Sequence, residues 1–324
     1  MSHHIDTLLL LALPASGKSE ARRYLASLTP EQCHAQFGIG QTVQLDDFPY
    51  VHIMRRVSDE LTARGRQGLF FVSPALPFRS PVDWLTLIEL INEDYDDLVN
   101  KRRPAPESAA LWLFRRIDAA RVRAGGQAVI ATLGEDLCRE IAGPIEKEAR
   151  KLLDDKVAEV PDTLEGKTVV IEFARGCADG QVMPIPHPYG YRASLAQLSP
   201  AILDKASILY IWVTPEESRR KNAARTDPND PGSILHHGVP LAVMYGDYGC
   251  DDMAWLLDHS GRPDAVRVER DGKDYHLALG RFDNRVDKTS FIREEPAQWS
   301  AADVAALQKG MREAFDQLAH GLGA

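Results

Sequence analysis

The sequence predicts an α/β fold with a mostly parallel sheet covered by helices on both faces, a large helical insertion and a C-terminal β-hairpin. Strand-like apolar runs alternate with helix-like segments along the chain, and apolar runs of this kind are typical of parallel strands buried on both faces. Of the 324 residues, 44% are hydrophobic and 26% are charged, which is the profile of an ordinary globular protein. We expect residues 1–324 to form a single domain.

Apolar runs define the predicted strands of the parallel sheet. They lie at residues 5–13, 42–45, 168–173 and 208–213. Further along, residues 265–269 and 275–279 flank Asp271-Gly272, a dipeptide that favours a tight turn between two antiparallel strands. These two segments are therefore predicted to form the C-terminal hairpin.

Helical spacing of apolar residues dominates the region from about 50 to 155, which we interpret as a helical insertion. The spacing is clear from Trp84 to Leu98 and from Leu137 to Leu152, and residues 101–106 (KRRPAP) break the pattern. Residues 128–131 fit either a strand or a buried helical turn. Other helices are predicted at residues 19–28, at 215–225 and over about the last 20 residues.

Composition argues against several classes of protein. The formal net charge of −9 disfavours a broad nucleic-acid-binding surface, which requires basic residues. The four cysteines are scattered without a CxxC pair, so a disulfide framework or a zinc site is not expected. The N-terminal apolar run is short and lacks a preceding basic region, and no run of eighteen apolar residues exists. We expect a cytoplasmic protein without a membrane span.

Residues 12–19, ALPASGKS, match the phosphate-loop pattern GxxxxGK[ST] except that Ala12 replaces the first glycine. A predicted strand ends just before this segment and a predicted helix starts just after it. Backbone N–H groups in such a turn, together with the helix N-terminus, form an anion site. We expect Lys18 to be exposed and to reach the phosphates, and the Ser19 hydroxyl to bind magnesium. The predicted phosphate-binding residues are Ala15, Ser16, Gly17, Lys18 and Ser19.

The segment LLLLALPASGKSEARRYL, followed by a strand that ends in LDDF, resembles the P-loop kinases of nucleosides, nucleotides and other small metabolites. The resemblance covers the first 50 residues well, residues 168–226 moderately and the helical middle hardly at all. It implies a three-layer P-loop NTPase sandwich that binds ATP and Mg²⁺.

In these kinases an acidic residue after the second strand serves the acceptor hydroxyl, and Asp46 and Asp47 both match its position. The alternative is an acid that only caps a helix or turn. Glu172 ends the strand TVVIEF, where P-loop proteins carry a magnesium-binding acid that is usually Asp. Its alternative is an ion pair with Arg175, which is itself a candidate for substrate contact. The predicted metal ligands are Ser19, Asp46 and Glu172.

Residues 214–240 resemble the lid of these kinases, whose cationic side chains close over the transferred phosphoryl group. Lys221 and Arg225 are four residues apart and share a helix face. The alternative is a solvated helix with Glu216–Arg220 and Glu217–Lys221 pairs. The Pro-, Gly- and His-rich residues that follow are interpreted as a mobile loop.

Two polar segments near the C-terminus receive less specific interpretations. Residues 284–287, NRVD, are similar to the guanine-reading motif of GTPases but do not directly follow an apolar strand, so we interpret them as a turn near the nucleotide base or a polar loop. Asp247, Asp251 and Asp252 are interpreted as surface-turn acids in preference to acceptor contacts.

These observations favour a magnesium-ATP-dependent phosphotransferase that acts on a small-molecule acceptor, with residues 50–155 forming much of the acceptor pocket. A second hypothesis is a regulatory ATPase or GTPase that signals through this insertion. A nucleic-acid end kinase is disfavoured by the acidic charge. The sequence does not show whether the nucleotide is ATP or GTP.

Overall fold

The computed structural model describes residues 4–225 and 238–323, apart from the side chain of Arg225. Within these residues the strands are β1 (Thr7–Leu11), β2 (Gln41–Asp46), β3 (Lys167–Phe173), β4 (Ala206–Trp212), β5 (Ala265–Arg270) and β6 (Lys273–Asp283). They form one sheet in the order β2-β3-β1-β4-β6-β5, in which only the β5–β6 pair is antiparallel. The prediction of an α/β fold with a mostly parallel sheet is therefore confirmed.

Helices connect and cover the strands. In the described part of the chain they are α1 (Lys18–Ser27), α2 (Pro30–Phe37), α3 (Phe48–Ala63), α4 (Val82–Val99), α5 (Ala109–Arg123), α6 (Glu135–Glu159), α7 (Gly190–Gln197), α8 (Pro200–Leu203), α9 (Pro215–Arg225), α10 (Leu241–Gly246), α11 (Met253–Asp258) and α12 (Ala301–Gly323). Short 3₁₀ helices lie at Ala131–Leu133, Ser290–Arg293 and Pro296–Gln298. Residues 128–131 therefore form no strand, and only Ala131 enters a helical turn.

The central strand β1 is buried on both faces because its side chains alternate between two hydrophobic cores. Leu9 and Leu11 pack in one core with residues of β2, β3 and α4, whereas Leu8 and Leu10 pack in the other with residues of α1, α2 and α12. All five residues of β1 are buried, and four of them, Leu8 to Leu11, are leucines, as expected for a strand covered on both faces.

The β5–β6 hairpin turns at Asp271 and Gly272, which both have positive φ, 52° and 76°. This backbone conformation matches the tight turn that the Asp-Gly dipeptide predicts. Strand β6 is longer than predicted and pairs in parallel with β4, so the hairpin is an extension of the main sheet.

Helices α3 to α6 lie between β2 and β3 in the chain, which agrees with the predicted helical character of residues 50–155. They enclose a third hydrophobic core that also contains Leu13, after β1, and Val213, after β4. This contact places the helical region next to the carboxyl ends of the central strands. The assignment of one domain with an insertion remains a prediction.

Candidate functional site

The carboxyl ends of three neighbouring parallel strands bring the predicted site residues to one edge of the sheet. Leu11 of β1 is in register with Phe173 of β3, and Asp46 of β2 is in register with Glu172. A cavity of about 170 Å³ opens at this edge. Of the predicted site residues, it is lined by Ala15, Ser16, Gly17, Lys18, Ser19, Asp46, Asp47 and Glu172.

The turn between β1 and α1 has the backbone shape that an anion site needs. Ala15 and Gly17 have positive φ, 55° and 104°, and a Cβ on Gly17 would lie 2.5 Å from Thr289 Oγ1. The Ser16 hydroxyl donates to the Leu13 carbonyl oxygen at 2.6 Å, which holds the turn closed. Because N–H groups in the first turn of a helix have no intrahelical acceptor, the start of α1 presents donors toward the cavity.

The absence of the first glycine of the motif is tolerated at Ala12. This residue is fully buried in the core formed with α1 and α12, and it is not among the residues with positive φ. A Cβ therefore fits at this position.

Lys18 lies inside the loop. Its side chain donates to the carbonyl oxygens of Ala12 (3.2 Å) and Leu13 (3.5 Å), and the residue is 9% exposed. The expectation that Lys18 is exposed is therefore wrong, because the ammonium group folds back onto the carbonyl groups of its own loop. Its charge nevertheless lines the same cavity as the start of α1.

Asp46 and Glu172 form a pair of neighbouring acids at the cavity wall. Burial and the charges of Glu172 and Asp47 raise the pKa of Asp46 to about 7. Asp46 Oδ1 accepts from the backbone N–H of Phe48 at 2.8 Å, and no residue in the described ranges donates to Oδ2. Glu172 Oε2 lies 3.1 Å from Arg22 Nη1 of α1, without the geometry of a hydrogen bond.

Asp47 has a different partner, although it also borders the cavity. Arg175 Nη1 donates to Asp47 Oδ2 at 2.7 Å, and Arg175 also donates to the Ser194 hydroxyl and the Trp84 carbonyl oxygen. Arg175 is 2% exposed and does not line the cavity, so the structure places it behind the wall. The proposed Glu172–Arg175 pair is wrong, because Arg22 lies beside Glu172.

The acids fit a magnesium ion better than a metal held by protein ligands alone. Among the described residues, no group of three or more His, Cys, Asp or Glu side chains could hold a metal ion. Mg²⁺ is usually bound by one or two carboxylates together with substrate phosphates and water. Asp46, Glu172 and the half-buried Ser19 provide that donor set, and the buried Glu172 Oε2 atom lacks a hydrogen bond.

Helix α9, the first part of the predicted lid, is attached to the phosphate loop. The Ser218 hydroxyl donates to the Pro14 carbonyl oxygen at 2.7 Å. Lys221 is 1% exposed, and its Nζ lies 2.9 Å from Asp287 Oδ1. Both pairs of the alternative interpretation, Glu216–Arg220 and Glu217–Lys221, are therefore wrong. Glu217 binds Arg220, and Glu216 binds Arg219.

The lid prediction named Lys221 and Arg225 as the cations that close over the phosphoryl group. Lys221 is not among the residues that line the cavity. The Arg225 side chain and residues 226–237 lie outside the described part of the chain.

Residues 284–287 form a turn that packs on the phosphate loop. Asn284 is fully buried, and its Nδ2 donates to the Ser16 carbonyl oxygen at 2.8 Å and to Thr289 Oγ1 at 2.9 Å. Burial opposes ionisation of Asp287, but hydrogen bonds from the backbone N–H groups of Ser290 and Thr289, together with the charge of Lys221, hold the pKa of this carboxyl far below its usual value. The turn thus stabilises the loop from behind.

Several cavity residues were missed by the sequence analysis. Arg55, Trp84, Asp247 and Tyr248 line the end of the cavity beyond the acids. Trp84 packs in the helical core as well as lining the cavity. The surface-turn interpretation of Asp247 and Asp252 is wrong, because both are buried.

The described helices include none that is long and apolar enough to cross a lipid bilayer. Comparison of the chain with models of protein families and with curated proteins found no match in either case. The functional assignment must therefore come from the geometry of the cavity.

Proposed function

We propose that the protein is a magnesium-ATP-dependent phosphotransferase that acts on a small-molecule acceptor. One observation carries the proposal: the phosphate-loop turn and the strand-end acids line the same cavity, which continues toward α3 and α4. A phosphotransferase needs a site for the phosphate donor next to a site for the acceptor, since the acceptor hydroxyl must attack the transferred phosphoryl group in line.

Each residue has a role that follows from its position. The N–H groups at the start of α1 and the Lys18 ammonium bind the phosphates of the donor. The magnesium ion, when bound near Ser19, Asp46 and Glu172, supplies charge neutralisation at the phosphates. Asp46, whose Oδ2 has no donor in the described structure, orients the acceptor hydroxyl and receives its proton.

The extension of the cavity favours a phosphotransferase over the regulatory NTPase of the second hypothesis. A switch protein requires a nucleotide site but no second pocket beside the γ-phosphate. Here Trp84, Tyr248 and Asp247 enclose space beyond the acids. Enclosed space lined by apolar and a few polar groups is characteristic of small-molecule sites.

The first test is removal of the Lys18 charge. We expect Lys18→Ala to lose detectable binding of magnesium-ATP in calorimetry while its circular dichroism spectrum is unchanged, because the variant removes the proposed phosphate contacts and Lys18 belongs to none of the three hydrophobic cores. Lys147→Ala, at an exposed position on α6, is the matched control and should bind as the wild type does. Unchanged ATP affinity in a folded Lys18→Ala variant would exclude the assignment of the loop.

A further inference from the structure

The end of the cavity away from the phosphate loop has its own chemistry. Its wall is largely aromatic and comes from α4, from the segment after α3 and from the segment after α10. Phe78 and Trp84 meet edge to face with ring centroids 4.9 Å apart, and Trp84 meets Tyr248 in the same manner at 5.6 Å. Phe71 stacks against Phe78 at 4.5 Å. Ordered aromatic walls of this kind favour contact with another flat ring.

Asp247 is the acidic group at this end. It is 4% exposed and lines the cavity, and its buried Oδ2 atom has no hydrogen-bond partner among residues 4–225 and 238–323. Buried polar atoms are nearly always hydrogen-bonded, so an unpartnered carboxylate oxygen at a cavity wall indicates a donor that a ligand supplies. Burial raises the pKa of Asp247 to about 7, against the opposing charge of Arg55, which shows that the unpaired carboxylate is costly here.

The neighbouring acids do not share this property. Asp252 accepts from the backbone N–H groups of Tyr191 and Arg192 at the start of α7. Asp251 accepts from the Tyr210 hydroxyl and from the Met253 N–H. Both are occupied in holding the fold, so Asp247 is the acid of this segment that remains available to a ligand.

Arg55 lines the cavity beside the aromatic wall. Its guanidinium lies 4.2 Å from the centre of the Phe71 ring, and Nη1 donates to the Pro74 carbonyl oxygen at 2.6 Å. The arginine therefore contributes a charge that supports the ionised form of Asp247 while part of its donor capacity is used by the protein.

We propose that this end of the cavity is the acceptor subsite and that it takes a flat aromatic or heteroaromatic compound carrying an amine or ring N–H group, which donates to Asp247. The inference rests on the proposed phosphotransferase function only for the orientation of the bound acceptor, whose hydroxyl group would point toward Asp46. Saturated polyols offer no face to the aromatic wall, so they are poor ligands for this subsite.

Calorimetry with defined probes tests the proposal. The ring-bearing probes are cytidine, adenosine, pyridoxamine and 4-aminobenzyl alcohol, and the ringless probes are glycerol and ethanolamine. We expect at least one ring-bearing probe to bind the wild type at millimolar or lower concentration and the ringless probes to bind more weakly. Asp247→Asn should weaken the ring-bearing probe by about tenfold or more, because it removes a charged acceptor. Asp258→Asn, at an exposed position on α11, should have no effect.

The outcomes separate this inference from the proposed function. Failure of all ring-bearing probes to bind, preference for the ringless probes, or equal binding by Asp247→Asn would each overturn the acceptor subsite. Magnesium-ATP binding by the same samples is measured in parallel. If ATP binds normally while the subsite test fails, the phosphotransferase proposal stands. If the ring-bearing probe binds through Asp247 but ATP does not bind, the subsite stands and the phosphotransferase proposal fails.

Discussion

Asp46 and Asp47 are adjacent in the sequence but have different surroundings. Asp47 is bound to a buried arginine, whereas Asp46 retains a carboxylate oxygen without a described donor and faces a second acid. The sequence left the choice between them open because either could follow the strand. In the proposed function, Asp46 is therefore the acid that serves the acceptor.

We expect Asp46→Asn to lower phosphotransfer by about a hundredfold or more, which is the range for loss of a general base. Nucleotide affinity measured by calorimetry should change little, because the loop and Lys18 remain. The asparagine Oδ1 can still accept from the Phe48 N–H, so the turn should be retained. Phosphotransfer at the wild-type rate would remove Asp46 from the mechanism.

The Asp47–Arg175 pair leads to a prediction about stability. Both side chains are buried, and Arg175 lies over the rings of Trp84 and Phe173. Removing one member of a buried pair leaves an uncompensated charge, so Asp47→Asn should lower the free energy of unfolding by about 3–5 kcal/mol.

Urea denaturation provides the measurement, with Asp155→Asn as the control. Asp155 forms an exposed pair with Lys151 on α6, and loss of such a pair should cost less than about 1 kcal/mol. Equal denaturation midpoints for Asp47→Asn and the control would show that the pair contributes nothing to the fold.

The residues that the sequence revealed are those whose function depends on local pattern. Gly17, Lys18 and Ser19 belong to one turn, so their spacing alone predicts them. The partners of the acids could not be predicted in this way, because Arg175 contacts Asp47 across 128 residues of sequence. The spacing of residues in the sequence does not show which basic side chain the fold brings next to a given acid.

At the level of elements, α9 contacts the loop that is expected to bind phosphate. Ser218 is tied to the Pro14 carbonyl oxygen, so a ligand that orders the loop should also order the helix. We expect the backbone N–H groups of α9 after Pro215 to exchange more slowly with solvent deuterium when magnesium-ATP is added. Helix α12, which packs on β6, is the internal control, and its exchange rate should change little when magnesium-ATP is added.

The phosphotransferase and regulatory hypotheses predict different patterns of deuterium exchange. The regulatory hypothesis places the nucleotide-dependent change in the helical region of residues 50–155. Protection confined to that region, with none in α9, would contradict the lid assignment and support a switch. Protection of α9 with little change in α12 would agree with closure over the donor.

The elements that were predicted well have strong local signals, and those that were missed do not. The β5–β6 turn and α9 follow from Asp271-Gly272 and from the charged run after Pro215. Helix α2 was not predicted, because the dipeptide Thr29-Pro30 directly follows the predicted helix at residues 19–28 and proline commonly marks a helix end. In the structure Thr29 and Gln32 form a capping box, so the same dipeptide also starts the next helix.

At the scale of the whole molecule, the cavity is assembled from segments that are far apart in the sequence. The loop after β1, the acids that end β2 and β3, and the aromatic wall from α4 and the segment after α10 meet only because the parallel strands end at one edge. The sequence predicts the proposed phosphate side of the cavity, whose motif is contiguous. The proposed acceptor side depends on long-range packing, and no contiguous pattern marks it.

The accumulation of acids at this edge should make the stability of the whole protein depend on pH. The pKa of Asp46 is raised from 3.8 to about 7, so the folded state holds a proton that the unfolded state has lost. The stabilisation from this proton is complete below pH 4 and is lost as the pH rises through 7. Above pH 7 the wild type carries the full cost of the ionised pair, Asp46 and Glu172.

Asp46→Asn removes this cost, so the variant should be more stable than the wild type although it is less active. We expect its melting temperature to exceed that of the wild type by about 2 °C or more at pH 8, with the difference disappearing toward pH 4. Taking the difference between the two proteins cancels the contributions of other titrating groups. Asp258→Asn, which changes an exposed acid, should follow the wild type throughout. A wild type that is more stable than Asp46→Asn at pH 8 would contradict this prediction. It would mean that the attraction of Arg22 for the two acids exceeds the repulsion between them. Asp46 and Glu172 would then be part of an ion cluster that stabilises the fold.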